Sequence, residues 1–366
     1  MPQMPVRLPD LDTWLARLPA VRCAVLGDLF LDRYLDLDAR LTEISIETAL
    51  EAFQVTRTRC YPGAAGTVLN NLVALGVGQL SAISVVGDDG EAFELRRELR
   101  ARGVDLQGVL SRPDRQTPTY TKPMLNTPGH PPRELNRLDI KNRGPGPAQI
   151  DQAVIAELER QAPTLDALII ADQVSERNCG VVTDAVREAI AAVAERFPRL
   201  IILADSRSHI GLFRHCLVKP NRAELARAVG EPVQTEEALD LARVPALSAR
   251  LAEQTGREVL TTLGPNGVWL SAGGGSRHVP GVQITGPIDV VGAGDSTTAG
   301  IVAALCGGAS LPEAASVGCL VASLTIQQLG VTGVATPDQV RQRLREAEWS
   351  GPLASLASGH ASHGTP

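Results

Sequence analysis

An α/β fold, with a mainly parallel sheet between two layers of helices, is predicted by two patterns in this sequence. Short apolar runs at residues 21–27, 80–87, 167–172, 200–205, 216–219 and 258–264 read as buried strands. Amphipathic stretches at 91–102, 180–196 and 236–255 fall between them and read as helices. Buried runs alternating with helices make a parallel sheet covered on both faces. Several runs end in Asp or Gly, which suits strand ends that open on a ligand crevice.

Taken in order, residues 1–20 read as an N-terminal extension. They carry Asp10 and Asp12 and lack a long apolar stretch, so they are not a signal peptide. The core domain is expected over 21–347, beginning with the strand at 21–27. Two segments break the alternation. Within 35–55, the stretch Leu50-Glu51-Ala52-Phe53-Gln54-Val55 has period two, and 118–125 is rich in Thr with few helix formers. Both read as solvent-facing antiparallel strands. From Asp295 to Glu346 the chain reads as mostly helical, and 348–366, rich in Gly, Ser, Ala and His, as a disordered tail.

Composition narrows the function classes. The chain has 366 residues, of which 44% are apolar, enough for a large core. Aromatic residues are 3% and the net charge is −6, which argues against nucleic acid or an anionic membrane as partner. The six cysteines, Cys23, Cys60, Cys179, Cys216, Cys306 and Cys319, show no metal-ligand spacing. They read as free thiols of a cytoplasmic protein.

The most informative stretch is Asp289-Val290-Val291-Gly292-Ala293-Gly294-Asp295, followed by small and apolar residues that read as a buried helix. Glycine-bracketed amides at a helix N-terminus favour an anion. Asp295 in that turn is a poor anion ligand but a good base for a hydroxyl that attacks a phosphate. Asp-x-x-Gly-Ala-Gly-Asp resembles the C-terminal signature of the ribokinase-like (PfkB) sugar kinases. That resemblance implies Asp295 as catalytic base and Gly292, Ala293 and Gly294 as the anion hole. It also implies a three-layer α/β/α sandwich with a small β-sheet lid, here from about 33–60 and 109–140.

Further motifs extend the resemblance over roughly residues 21–340. Pro62-Gly63-Ala64-Ala65-Gly66-Thr67-Val68-Leu69-Asn70-Asn71 is similar to the family's Gly-Gly-Ala-Ala-Asn-Val-Ala-x-Asn. Ala64 departs from its second glycine, Gly66 from an alanine and Thr67 from its sugar-contacting Asn. The match implies sugar contacts at Gly63, Ala64, Thr67 and Asn71, and at Asp28 in Gly27-Asp28. Residues 27–34, Glu43-Ile44-Ser45-Ile46-Glu47, Thr119-Tyr120-Thr121-Lys122 and Arg137-Leu138-Asp139 resemble the bacterial heptose 7-phosphate kinases. In that reading Lys122, Arg137 and Arg207 are candidates to hold the phosphate the sugar already carries. Gln173 departs from the Tyr of that subfamily.

Lys219-Pro220-Asn221-Arg222-Ala223-Glu224 is similar to the family's Pro-Asn-x-x-Glu, which implies that Asn221 and Glu224 organise Mg2+ through water. The same spacing also suits a helix cap. Thr262-Leu263-Gly264-Pro265-Asn266-Gly267 resembles the nucleotide loop, and Ser323 falls on the adenine-side helix. Asp289, Val291 and the loop at 328–331 resemble a K+ site of some relatives. No dinucleotide fingerprint and no Walker loop is present. The expected partners are ATP and a sugar or sugar phosphate, with a homodimer formed through the lid. Another sugar or a nucleoside as acceptor, or a silent binding protein, are the alternatives.

Overall fold

The computed structural model describes residues 8–231, 233, 235, 239–272 and 275–350. Among them nine strands form the central sheet, in the spatial order Gly275–Val279, Val268–Ala272, Val259–Thr262, Leu217–Val218, Ile201–Ser206, Ala167–Asp172, Arg22–Gly27, Gln79–Gly87, Val109–Arg112. All pairings are parallel except the two at the Gly275–Val279 edge. The β-strand period sends alternate side chains to opposite faces. Cys23, Val25, Ala167 and Ile169 enter one apolar core, and Ala24, Leu26, Leu168 and Ile170 enter the other. Helices Ala65–Leu75, Gly90–Ala101, Ala293–Gly307 and Leu311–Thr325 cover the first core. Helices Ala148–Gln161, Asp184–Arg196 and Val244–Thr255 cover the second. This is the three-layer α/β/α arrangement the sequence predicts.

The N-terminal segment is not an appendage. Helix Leu11–Arg17 buries Leu11, Trp14 and Leu15 in the first core, and Arg17 donates to the Gly307 carbonyl at 2.7 Å. Near the other end, Val282 bridges Trp349, and the Ser350 hydroxyl accepts from Gly281 N at 2.8 Å. The rest of the expected tail, and 236–238 of the expected 236–255 helix, lie outside the described residues. The four buried cysteines and half-buried Cys60 and Cys306 are all free. Among the described residues no helix is long and apolar enough to cross a membrane.

A separate small sheet stands over the C-terminal edge of the central one. Its middle strand, Leu29–Asp38, pairs antiparallel with Val55–Ala64 and parallel with Thr119–Asn126. The latter pairs antiparallel with Leu138–Ile140 and Arg133–Glu134. Two expectations change here. The second predicted strand is antiparallel to Leu138–Ile140 and Arg133–Glu134 but parallel to Leu29–Asp38, and the main lid strand leaves the first core strand directly at Leu29. The alternating stretch 50–55 yields only the short strand Glu51–Ala52, paired with Glu43–Ile44. Its apolar side chains have no layer to bury them: Leu50 is 68% exposed and Val55 48%.

Candidate active site

The site forms where strand ends, the lid and the helix Ala293–Gly307 meet. That helix has Gly292 as its N-cap, at φ +78, a left-handed conformation glycine takes without penalty. A Cβ on Gly292 would also come within 2.6 Å of Thr332 and 3.3 Å of Thr67. No side chain caps the helix. The Ala293 amide turns back to the Val290 carbonyl at 3.1 Å, so it is not part of an open anion hole as the sequence implied. The amides of Gly292, Gly294 and Asp295 donate no hydrogen bond among the described residues. An anion here would therefore meet a hole shifted by one residue, at the positive end of the helix dipole.

Asp295 is half-buried in the first turn of this helix. Loss of solvent around its carboxyl, then the negative charge of Asp205, push its pKa up to about 7. Lys219 and Arg207 pull the other way, and Asp32 adds to the rise. A carboxyl poised near neutrality is matched to proton transfer from a hydroxyl.

Lys219 is a site residue that motif matching passed over. It is 3% exposed, and its Nζ lies 2.9 Å from Asp205 Oδ2. Burial opposes its charge, but Asp205, Glu224 and Asp295 outweigh this and hold its pKa above the ordinary lysine value. A Cβ built on Gly294 would lie 3.7 Å from Lys219 Nζ, so the ammonium adjoins Gly294. Its signal in the sequence was its position directly before Pro220-Asn221.

On the acceptor side, Asp28 is engaged by the backbone. Its carboxylate accepts from Gln173 N at 2.8 Å, Val174 N at 3.1 Å and Val181 N at 2.8 Å, and is 3% exposed. It pins the loop after strand Ala167–Asp172, with three of its acceptor positions taken by amides, and stands at the wall of the cleft that Arg207 borders. Burial and Asp172 raise its pKa to about 6 despite the three amides. A second carboxylate, Asp32, stands four residues on, in the lid strand. It lies 3.6 Å from Lys122, is one of the charges acting on Asp295, and fills the space a Cβ on Gly63 would need, 2.9 Å away. Burial raises the Asp32 pKa and Lys122 opposes this. A register argument could have found it, because the lid strand starts within the match at 27–34.

Other expected contacts divide. Thr67 faces Gly292, at the seam of the two motifs. Ala64 takes φ 53, ψ −118, a region open mainly to glycine, so the departure from the family's glycine leaves the backbone strained. Asn71 is fully buried and donates to the Thr67 and Gly333 carbonyls at 3.0 and 3.5 Å, so it links helix to loop and does not reach the cleft. Lys122 also donates to the Tyr34 hydroxyl at 3.1 Å. Arg137 is paired in a fork with Asp139 at 2.7 and 2.9 Å and stacks on Tyr120 at 4.1 Å. Both cations expected to hold a phosphate are thus already compensated. Arg207 has no ion pair among the described residues. It borders a cleft lined also by Phe30, Tyr120, Lys141 and Gln173.

On the donor side, Asn221 bridges Thr262 in the sheet, which brings the nucleotide-loop match, with Gly264 and Gly267, beside the Asn221–Glu224 turn. Asn221 and Glu224 form a capping box: Asn221 Oδ1 accepts from Glu224 N and Glu224 Oε2 from Asn221 N, each at 2.8 Å. Among the described residues no three His, Cys, Asp or Glu side chains stand together as a metal cage. That donor set suits a hard ion that keeps most of its water, as Mg2+ does. Ser323 is buried and its hydroxyl donates back to the Leu320 carbonyl at 2.7 Å. Asp289 ties together the loops of the K+ resemblance, accepting from Val291 N at 3.1 Å and Gly330 N at 3.3 Å.

These features define an α/β phosphotransferase-type cleft, and comparison with known proteins gives the family. Residues 146–338 match the model of the pfkB family carbohydrate kinases. The chain belongs to that family. It is 30% identical to the "Bifunctional protein HldE" of Trichlorobacter lovleyi over 327 residues, 88% of this chain and 63% of that protein. The protein of that name from Gluconobacter oxydans is 29% identical over 92% of this chain and 67% of its own length. The chain thus spans about 63–65% of the first of these curated relatives it matches. Phosphofructokinase-2 from Escherichia coli superposes with a TM-score of 0.65 at 20% identity, covering 89% of this chain and 99% of that one. Arabidopsis thaliana ribokinase gives 0.61 at 17% over the same shares. The fold is therefore that of the ribokinase-type kinases.

Proposed function

We propose that this carbohydrate kinase transfers the γ-phosphoryl group of ATP to the anomeric hydroxyl of a heptose 7-phosphate. The observation that carries the transfer is the pairing of Asp295, near neutral pKa, with the open Gly294 amide and the adjoining Lys219 ammonium. Asp295 takes the proton of the acceptor hydroxyl. The oxygen forms a bond to the γ-phosphorus as the bond to the β–γ bridging oxygen breaks, and ADP leaves with that electron pair. The helix dipole, the Gly294 amide and Lys219 hold the negative charge of the transferring group. Mg2+, bound through ATP oxygens and water beside Asn221 and Glu224, would neutralise the polyphosphate. K+ near Asp289 would fix the loops at 289–291 and 326–330.

Asp32 orients the sugar by accepting from its hydroxyls, and Lys122 keeps that carboxylate ionised. The lid sheet excludes water over the cleft. A second copy of the chain covering exposed Ile44, Ile46 and Leu50 would form the lid-to-lid homodimer. The heptose 7-phosphate is supported by the match at residues 27–34 and by the lid strand, and Arg207 remains to meet the sugar's phosphate. The test is coupled ADP release over a panel of free sugars, nucleosides and sugar phosphates. Preference for heptose 7-phosphate is expected. Preference for another acceptor would overturn the substrate, and binding without ADP release would overturn the kinase activity.

A further inference from the structure

A buried bond chain lies behind the proposed base, and two of its members, Asp205 and Thr298, take no part in the steps above. Asp205, at the end of strand Ile201–Ser206, is 7% exposed. Its Oδ2 accepts from Lys219 Nζ at 2.9 Å and from Thr298 Oγ1 at 3.0 Å. Thr298 lies on the same helix as Asp295, about one turn further along. One carboxylate thus ties the strand, the lysine and the helix that carries the base.

We propose that Asp205 is a positioning residue for phosphoryl transfer. It holds the Lys219 ammonium at the Gly294 amide and keeps it from closing on the Asp295 carboxylate. Two acids and one lysine share this space. Were Lys219 to pair with Asp295, the base would become a weak proton acceptor and the anion hole would lose its cation together. The bond to Asp205 prevents both, and the Thr298 hydroxyl fixes the Asp205 carboxylate against the helix. The inference rests on reading Asp295 as the base.

The charged groups around Asp295 are Asp205 behind it, Lys219 after strand Leu217–Val218, Arg207 beyond the strand end and Asp32 on the lid strand. Removing Asp205 deletes a negative neighbour and frees a positive one, and both changes favour ionised Asp295. Asp205→Asn should therefore move the acidic limb of the kcat–pH profile down by at least about one unit. The plateau kcat should fall about 10- to 100-fold, and the KM for sugar should stay near that of the parent protein. Lys219→Met should move the same limb upward. Opposite shifts are not produced by a structural defect.

The controls separate this inference from the reading beneath it. If Asp295→Asn retains turnover, the base assignment fails and this inference fails with it. If Asp295→Asn is inactive but the Asp205→Asn profile superposes on that of the parent protein, only the positioning role is overturned. Should Asp205→Asn not fold, Thr298→Val replaces it, since it removes one bond and no charge. A several-fold fall in kcat at constant sugar KM is then expected, and an unchanged kcat overturns the proposal.

Discussion

Asp28 and Asp32 lie four residues apart, and exchanging their roles gives the sharpest test of the acceptor site. Asp28 accepts three backbone amides. Asp28→Ala strands these donors in a buried place, at about 1–3 kcal/mol each. The summed cost is several kcal/mol, a large share of the ~5–15 kcal/mol that holds a typical domain together. Asp32 makes no backbone bond of this kind. Its charged partner is Lys122, at 3.6 Å. Replacing Asp32 by the isosteric Asn removes charge from one or two hydroxyl contacts, each worth about 1.5–3 kcal/mol. The sugar KM should then rise about 10- to 100-fold while the KM for ATP holds within about twofold. Initial rates by coupled ADP release, with thermal melts of both variants, give the two readings. Asp28→Ala should melt far earlier yet keep its sugar KM in the folded fraction. A stable Asp28→Ala with a raised sugar KM, beside an unaffected Asp32→Asn, would refute the assignment.

Asp295→Asn should lower kcat about 10²–10⁴-fold with nucleotide binding intact, measured by calorimetric titration. In the parent protein the base works ionised, so kcat should rise with pH through an inflection near 7, the value to which Asp295 is pushed. The stability effect has the opposite sense. A carboxyl whose folded pKa is raised contributes most at low pH and loses that contribution as pH rises through about 7. Asp295→Asn should therefore melt higher than the parent above pH 7, with the difference vanishing toward pH 4. Ala64→Gly should relieve the strain at φ 53 and raise stability by about 1 kcal/mol, read by denaturant melts, with little change in turnover. Glu224→Gln should shift the Mg2+ titration of activity to higher concentration. An unchanged titration would leave Glu224 as a helix cap only.

The layers of this fold were legible because burial on both faces of a parallel sheet writes continuous apolar runs, as at 167–172. The turn carrying Asp295 was legible for a similar reason, since Gly292 at φ +78 leaves a mark that few other residues can replace. What escaped was the direction of side chains. Asp28 and Asp32 both sit near a strand end, and only the loop at 173–181, distant in sequence, decides which of them is consumed by amides. Asn71 kept its place in the motif, yet the helix turns it toward Gly333 and away from the cleft. Lys219 was passed over because its partner Asp205 comes from a different strand. The exposed stretch 50–55 misled because a two-residue period identifies a strand only when some layer waits to cover it.

The contact between Thr67 and Gly292 has a consequence for how such a chain can change. Asp32, Lys122 and Tyr120 precede it on the acceptor side, all before residue 146, where the family match begins. Asp205, Lys219, Asn221 and Asp295 all follow. At the seam the part of the chain that bears the lid touches the turn that carries Asp295, a threonine methyl against a glycine. Substitutions in the lid are therefore felt at the base, as the charge of Asp32 on Asp295 already shows. An exchange of the N-terminal third between relatives must fit this seam as well as the strand pairing of 23–27 with 167–171 and the core the two parts share.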